Sequence, residues 1–342
     1  MYSSLILSFI LSLNLACNKE TGSHQTSNIE SHRPQHRGVS FVSPPNSTGP
    51  EAFDPIVSLN ANWTAIIPFG FVRENQSNVE YNLSWQWWGE RDEGVSVLTN
   101  QAHSKNVKIM IKPQIWLRNG AFTGDYNLEN EADWQELQAT YYNYILHFAD
   151  LADSLGAEAY CIGTEFKNFI AKRPQFWSDL IDSVRVHYSG ELTYAGNWDS
   201  YQAFPFWNKL DFIGIDAYFP LHDGETPSVS DCVQEWQSHY TSISSHQAQI
   251  NKPVVFTEYG YRSVDFCTKE PWHSGQGGNV NELAQKNAYQ ALYQVFWDEK
   301  WFDGGFLWKW FPDHESAGGQ ENNRFTPQNK AVEELIRAKY GS

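Results

Sequence analysis

Basic residues are scarce in this chain: 24 Lys and Arg stand against 40 Asp and Glu, for a formal net charge of -16 at pH 7. No cluster of Lys or Arg interrupts that acidity, so phosphate backbones and bare anionic membrane surfaces are repelled, and nucleic acid is set aside as a partner. The 11 histidines include neither His-x-His nor His-Glu-x-x-His, so the spacings that gather a catalytic metal are missing and no metal is expected. No Gly-x-Ser-x-Gly elbow is present to carry a serine triad, and no dinucleotide glycine fingerprint occurs. No cofactor is expected. Long hydrophobic runs are also missing: the apolar stretch Leu5 to Ala16 covers about a dozen residues, too few to span a bilayer. A neutral polymer remains an acceptable partner.

Aromatic side chains, by contrast, are plentiful, with 15 Trp, 17 Tyr and 21 Phe. Most fill a core, but Trp and Tyr carry polar atoms that want partners, and flat rings with polar rims suit the faces of pyranoses.

Three segments organise the chain. Residues 1–17 form a leader in which Leu5 to Ala16 reads as the apolar region of a signal peptide, implying export. Leu15-Ala16-Cys17 resembles the lipobox of bacterial lipoproteins, with Asn14 where Leu is usual and no Lys or Arg before the apolar run. That resemblance implies lipidation of Cys17 and anchoring to a bacterial membrane, periplasmic or at the cell surface; plain secretion is the alternative. Residues 18–36 are polar, lack a hydrophobic period and read as a flexible tether. In an oxidising compartment Cys232 and Cys267 are open to pairing, whereas Cys161 lies in an apolar run and reads as a buried thiol.

Residues 37–342 alternate β-branched runs with helical patterns, the signature of parallel strands joined by crossover helices. Eight runs stand out: Arg37 to Ser43, Trp63 to Val72, Val107 to Leu117, Ala157 to Phe166, Glu191 to Trp198, Asp211 to Pro220, Lys252 to Tyr261, and Phe302 to Phe311. Between the third and fourth, Trp134, Leu137, Tyr141, Ile145, Phe148, Leu151 and Leu155 form one helix face, with Asn130 to cap its start and Gly156 its end. The closing helix is expected to start at Thr326-Pro327, to bury Val332, Leu335 and Ile336, and to end at Gly341. Eight strand-helix units favour an α/β fold closed as a single (β/α)₈ barrel, expected as a monomer. Long connections after the second run, with Trp85, Trp87 and Trp88, and after the seventh would lie at the catalytic face.

Active sites of such barrels gather at the carboxyl ends of the strands, so acids that end an apolar run are informative. Glu165 ends the fourth run and Glu258 the seventh, each beside aromatic neighbours that would desolvate it. One neutral and one ionised carboxyl across a barrel mouth are the parts needed for glycoside hydrolysis. In the third run Lys112, Gln114 and Trp116 alternate with apolar residues and point inward; a buried Lys needs a carboxylate partner, and Trp116 is a second sugar platform.

Ile-Gly-Thr-Glu around Glu165, Thr-Glu-Tyr-Gly-Tyr around Glu258 and Gly-Gly-Phe-Leu-Trp-Lys-Trp-Phe-Pro-Asp around Trp308 resemble glycoside hydrolase family 113, in the clan of retaining barrel glycosidases. The resemblance implies a β-1,4-mannanase acting on mannan, glucomannan or their oligosaccharides, with Glu165 as acid/base and Glu258 as nucleophile. It further implies that the Tyr218 hydroxyl contacts the nucleophile and that Trp308 is the platform under the attacked sugar. Thr164 stands where most of the clan has the Asn that binds the sugar 2-hydroxyl, and Asn197 is the expected substitute. Asp216 shares a strand face with Tyr218, Trp198 adjoins Asn197, and Trp310 shares the parity of Trp308, which makes each a further substrate contact. Two other readings stay open: a β-glucanase or other β-glycosidase of the clan, and a non-catalytic glycan-binding barrel on a cell surface.

Overall fold

Parallel strands must be covered on both faces, because their crossover helices leave no face to solvent. The computed structural model describes residues 34–74, 76–118, 120–275 and 277–342. The expected leader, the lipidation site Cys17 and nearly all of the expected tether lie outside the described residues. No helix among the described residues is long and apolar enough to cross a membrane.

Every one of the eight runs contributes a strand to a closed parallel barrel, with helices in the connections. The strands are β1 (His36–Phe41), β2 (Trp63–Ile66), β3 (Phe69–Val72), β4 (Lys108–Ile111), β5 (Gln114–Leu117), β6 (Ala159–Thr164), β7 (Glu191–Asn197), β8 (Ile213–Asp216), β9 (Val254–Tyr259) and β10 (Phe302–Trp310). Around the barrel they run β1, β10, β9, β8, β7, β6, β4, β2. Two runs expected as single strands are each broken: Pro68 and Pro113 lack the N–H a ladder needs. Their distal halves, β3 and β5, pair with each other as a separate two-stranded sheet. Strand β1 begins at His36, one residue before the expected run at Arg37.

The helices are α1 (Asp54–Ser58), α2 (Asp92–Ser104), α3 (Glu131–Leu155), α4 (Lys167–Lys172), α5 (Pro174–His187), α6 (Val229–Ile250), α7 (Glu282–Phe296) and α8 (Ala331–Gly341). Helix α3 is bounded as the sequence predicts: Asn130 accepts from the Asp133 N–H, and Gly156 closes the helix at φ +65°, which glycine adopts without steric cost. Helix α8 corrects an expectation, since it starts at Ala331 and not at Thr326-Pro327. The Gln328 side chain accepts from the Phe311 N–H at 2.7 Å and donates to the Phe311 carbonyl at 3.0 Å. Those bonds tie the segment to the end of β10, so the helix starts later.

Strand alternation divides the core in two. Ile109, Ile111, Tyr160, Ile162, Phe256 and Leu307 face the helices, in the larger cluster. Trp63, Ala65, Met110, Ala159, Cys161, Ala195, Phe212, Val255 and Phe306 fill the barrel lumen beneath the mouth. Cys161, Cys232 and Cys267 are all buried free thiols, so the open question of a Cys232–Cys267 pair is answered by its absence in this structure.

Candidate active site

Glu165 directly follows the last residue of β6, and its backbone sits at φ +57°. A side chain with a Cβ enters that left-handed region at a cost of about 1–3 kcal/mol, and such residues persist where neighbours enforce them. Here the Glu165 N–H donates to the Ala195 carbonyl at 2.8 Å, and the Phe166 N–H donates to the Tyr194 hydroxyl at 2.6 Å.

Glu258 reaches the mouth through a bulge. Val255 faces the lumen and Phe256 the helices, so plain alternation would turn residue 258 outward. Between β8 and β9, however, Gly214 pairs with Val255 while Asp216 pairs with Glu258, leaving one extra residue on β9. Bulges at barrel rims re-aim side chains in this way. Thr257 and Glu258 thereby serve the same site: the Thr257 hydroxyl donates to Asp216 Oδ1 at 2.8 Å.

Three donors converge on the Glu258 carboxylate. Lys112 Nζ lies 2.5 Å from Oε1, Gln114 Nε2 lies 2.6 Å from the same oxygen, and the Tyr218 hydroxyl donates to Oε2 at 2.8 Å. Lys112 is fully buried and also reaches Asp216 Oδ1 at 3.1 Å, so the expected pairing of an inward Lys with a carboxylate is realised twice. Burial alone would depress the Lys112 pKa, but the charges of Asp216 and Glu258 outweigh it and hold the ammonium above the ordinary lysine value. Burial, then the charge of Glu258, pushes the Asp216 carboxyl up to about 7 against the pull of Lys112.

Glu165 has the opposite surroundings. Loss of solvent, reinforced by the negative charges of Asp216 and Glu258, raises its pKa well above the usual carboxylate range. Both glutamates line one cleft of about 290 Å³, together with Gln114, Trp116, Phe122, Thr164 and Trp308. Trp116 is 55% exposed and stands edge-on to Phe69, with ring centres 6.2 Å apart. Lys309 Nζ lies 5.3 Å from the Trp308 ring centre.

The remaining expected contacts separate. The Asn197 amide donates to Asp199 at 3.1 Å and accepts from the Trp198 N–H at 3.0 Å, so its side chain is engaged at the end of β7, beside Asp216 in register. Trp198 stacks on Trp272 with ring centres 5.1 Å apart and packs against Phe219. Trp310 is not a platform: it is fully buried in the outer core and stacks on His314. The pairing of β1 with β10 explains this, because Val39 opposes Leu307 but Phe41 opposes Trp310, and the extra residue reverses the parity. Strand alternation turns Gln114 inward without naming Glu258 as its partner. Its shared parity with Lys112 and Trp116 was the available signal.

A closed parallel barrel with two carboxyl groups in one cleft at the carboxyl ends of its strands defines a (β/α)₈ enzyme of the glycoside hydrolase class. Residues 46–330 match the model of Glycoside Hydrolase Family 113, and the chain belongs to that family. Among solved structures it is similar to the family 113 β-mannanase of Alicyclobacillus acidocaldarius in complex with ManMIm, with 22% identity over 90% of this chain and 97% of that one and a TM-score of 0.80. A second family 113 β-1,4-mannanase shares 23% identity over 90% of this chain and 99% of its own, at a TM-score of 0.78. The β-glucuronidase of Ruminococcus gnavus shares the barrel at 15% identity and a TM-score of 0.60, over 90% of this chain and 50% of that one. No curated protein sequence matches the chain.

Proposed function

We propose that the protein is a retaining β-mannanase that cleaves β-1,4-linked mannan or manno-oligosaccharides by double displacement. The observation that carries this reading is the asymmetry of the two glutamates. Glu258 is surrounded by Lys112, Gln114 and Tyr218, donors that stabilise a negative charge, while Glu165 lies in surroundings that favour its protonated form. In the first step Glu258 attacks the anomeric carbon, the glycosidic C–O bond breaks, and the Glu165 proton passes to the leaving oxygen. In the second, the Glu165 carboxylate takes a proton from water as the water oxygen attacks the anomeric carbon, and Glu258 leaves as a carboxylate. Trp308 and Trp116 supply flat faces for the sugar rings, and Lys112 holds the nucleophile oriented. Asp216 in turn holds Lys112.

The manno-specificity rests on the likeness to structures named as β-mannanases. Incubation with mannan, glucomannan, cellulosic glucan and xylan, with sizing of products and NMR of the nascent anomer, tests it. Mannan cut to products that first appear as the β-anomer is the expected result. Intact mannan beside a cleaved β-glucan would overturn the specificity, and an α-anomer would overturn the mechanism.

Export, with a lipid on Cys17, belongs to the same proposal and is supported by the apolar leader and Leu15-Ala16-Cys17. Labelled palmitate carried by the wild type and lost in Cys17→Ala is expected; label retained by that variant would refute it.

A further inference from the structure

The bulge that turns Glu258 into the mouth is narrower than its pairing with β8 alone reveals. Three steps along β9, Val255 to Glu258, pass two along β8, Gly214 to Asp216. On the other flank three steps, Phe256 to Tyr259, pass two along β10, Gly305 to Leu307. Neither neighbour follows the extra residue, so it lies between Phe256 and Glu258, and both ladders favour its removal. Regular alternation would turn Glu258 out toward the helices and Tyr259 into the barrel. The irregular register therefore needs a hold on each side of the nucleophile.

On the lumen side that hold is the Thr257 hydroxyl on Asp216. On the outer side it is Tyr259, which is fully buried against α7 and α8. Its hydroxyl lies 2.7 Å from that of Tyr340 and 3.1 Å from that of Tyr293. Tyr340 continues the line to the Gly38 carbonyl of β1 at 2.8 Å. The direction of each bond follows from counting hydrogens, because a phenol carries one and a carbonyl none. Tyr340 donates to Gly38, so it accepts from Tyr259; Tyr259 has then used its hydrogen and accepts from Tyr293. Burial raises the pKa of all three hydroxyls, so the line stays neutral and keeps this order.

Ring packing fixes the frame around the line. Tyr259 meets Tyr289 and Tyr293 edge-on, at 5.9 and 6.3 Å between ring centres, and Tyr340 lies flat on Trp297 at 5.5 Å. A turn of Tyr259 toward the lumen would break the line and leave the Tyr293 hydrogen without its acceptor in the outer core, at the cost of a buried unsatisfied donor.

We infer that Tyr259, held by Tyr340 of α8, is a positioning residue for the nucleophile: it clasps the β9 bulge from outside and so keeps Glu258 within reach of Lys112, Gln114 and Tyr218. Helix α8 is thereby coupled to the catalytic centre through a contact between residues 81 positions apart. The effect on turnover rests on the reading of Glu258 as nucleophile; the effect on where its side chain points does not.

Three phenylalanine variants test this, each removing one fully buried hydroxyl and no ring. Tyr259→Phe and Tyr340→Phe break the line between β9 and β1. In both, kcat on mannan falls about 10- to 100-fold, the scale of a catalytic group misplaced by roughly 1 Å, while KM stays within about twofold. The double variant is no slower than the slower single one, because both cut the same line. Tyr293→Phe is the control: it leaves Tyr259, Tyr340 and Gly38 joined, so it lowers the melting temperature as the others do and keeps kcat within about twofold of wild type. Equal losses of kcat in all three, or none in Tyr259→Phe and Tyr340→Phe, would show a ladder that serves stability alone and overturn the inference. If Tyr259→Phe does not fold, Tyr340→Phe carries the same comparison from the outer helix. A crystal structure of either variant needs no substrate: a Glu258 carboxylate displaced from one or more of its three donors supports the clasp, and three unchanged contacts would overturn it. A wild type that cleaves no glycoside would count against the glycosidase reading alone, and that structure would then decide the role of Tyr259.

Discussion

The ammonium of Lys112 reaches the carboxylate of Glu258 across the barrel mouth at 2.5 Å, from 146 positions away in the chain. Both charges are shielded from solvent, and Asp216 closes the cluster from the side. Lys112 is the ammonium in direct contact with Glu258, and together with Gln114 and Tyr218 it fixes the orientation of the nucleophile.

Lys112→Met leaves Asp216 and Glu258 facing each other in the interior without their cation. The expected cost is about 3–5 kcal/mol of folding stability at neutral pH, the usual result of removing one member of a buried pair. The cost shrinks toward pH 4, because the Asp216 carboxyl, pushed up to about 7 even with the lysine present, is neutral there. Urea unfolding at pH 8 and pH 4 checks this, and equal losses at the two would show that the cluster's charges are not what the lysine serves. kcat falls as well, by two orders of magnitude or so.

Tyr218→Phe removes a single donor to Glu258 without opening a cavity. A hydrogen bond to a charged group contributes about 1.5–3 kcal/mol, so kcat/KM is expected to drop roughly 10- to 100-fold. The circular dichroism spectrum and the melting temperature stay close to wild type. A variant with full activity would remove the tyrosine from the proposed machinery.

Glu165 couples activity to stability. Its raised folded-state pKa means that the folded chain keeps a proton which the unfolded chain releases above the ordinary carboxylate range. The stability tied to this group is therefore intact below that range and declines as pH rises toward the folded-state value. Glu165→Gln abolishes that titration. Its melting temperature should match the wild type near pH 4 and exceed it by about 2 °C at pH 8, the direction expected when a strained catalytic acid is neutralised. On mannan its kcat falls about 10²- to 10⁴-fold. On an aryl glycoside with a good leaving group kcat/KM, which reports the first step, largely returns and loses its alkaline fall, while kcat stays low because the water of the second step still lacks its base. Persistence of that alkaline limb in the variant would assign it to another group.

Trp308 and Trp310 separate the two uses of tryptophan within one strand. Trp310→Ala empties a fully buried site and is expected to cost about 3–5 kcal/mol of stability. Trp308→Ala leaves the melting temperature nearly unchanged and lowers kcat/KM on mannan by more than tenfold. The reverse pattern, with Trp310 needed for turnover and Trp308 for folding, would contradict the assignment of the lining.

Much of this site was legible one strand at a time. Period-two alternation within Val107 to Leu117 put Lys112, Gln114 and Trp116 on the lumen side, and the need of a buried ammonium for a carboxylate told which kind of partner to expect. Asn130 and Gly156 bounded α3 because caps act within a turn of the helix end, and local chemistry of that range is visible in a linear chain. Thr326-Pro327 misled for the same reason: a strong local start signal was overruled by Gln328 bonding to Phe311, a contact no window of neighbouring residues contains.

The amino-acid sequence by itself determined the closed α/β barrel and the positions of Glu165 and Glu258 at strand ends, because strand and helix periods and the location of acids along a strand are properties of neighbouring residues. Only the tertiary structure decided which way the side chains at the rim turn. One extra residue in β9 brings Glu258 inward beside Thr257, and one in β10 sends Trp310 into the core while Trp308 stays in the cleft. A bulge depends on the pairing of two strands, each shaped by its neighbours around the cylinder, and so leaves no mark in the alternation of either one.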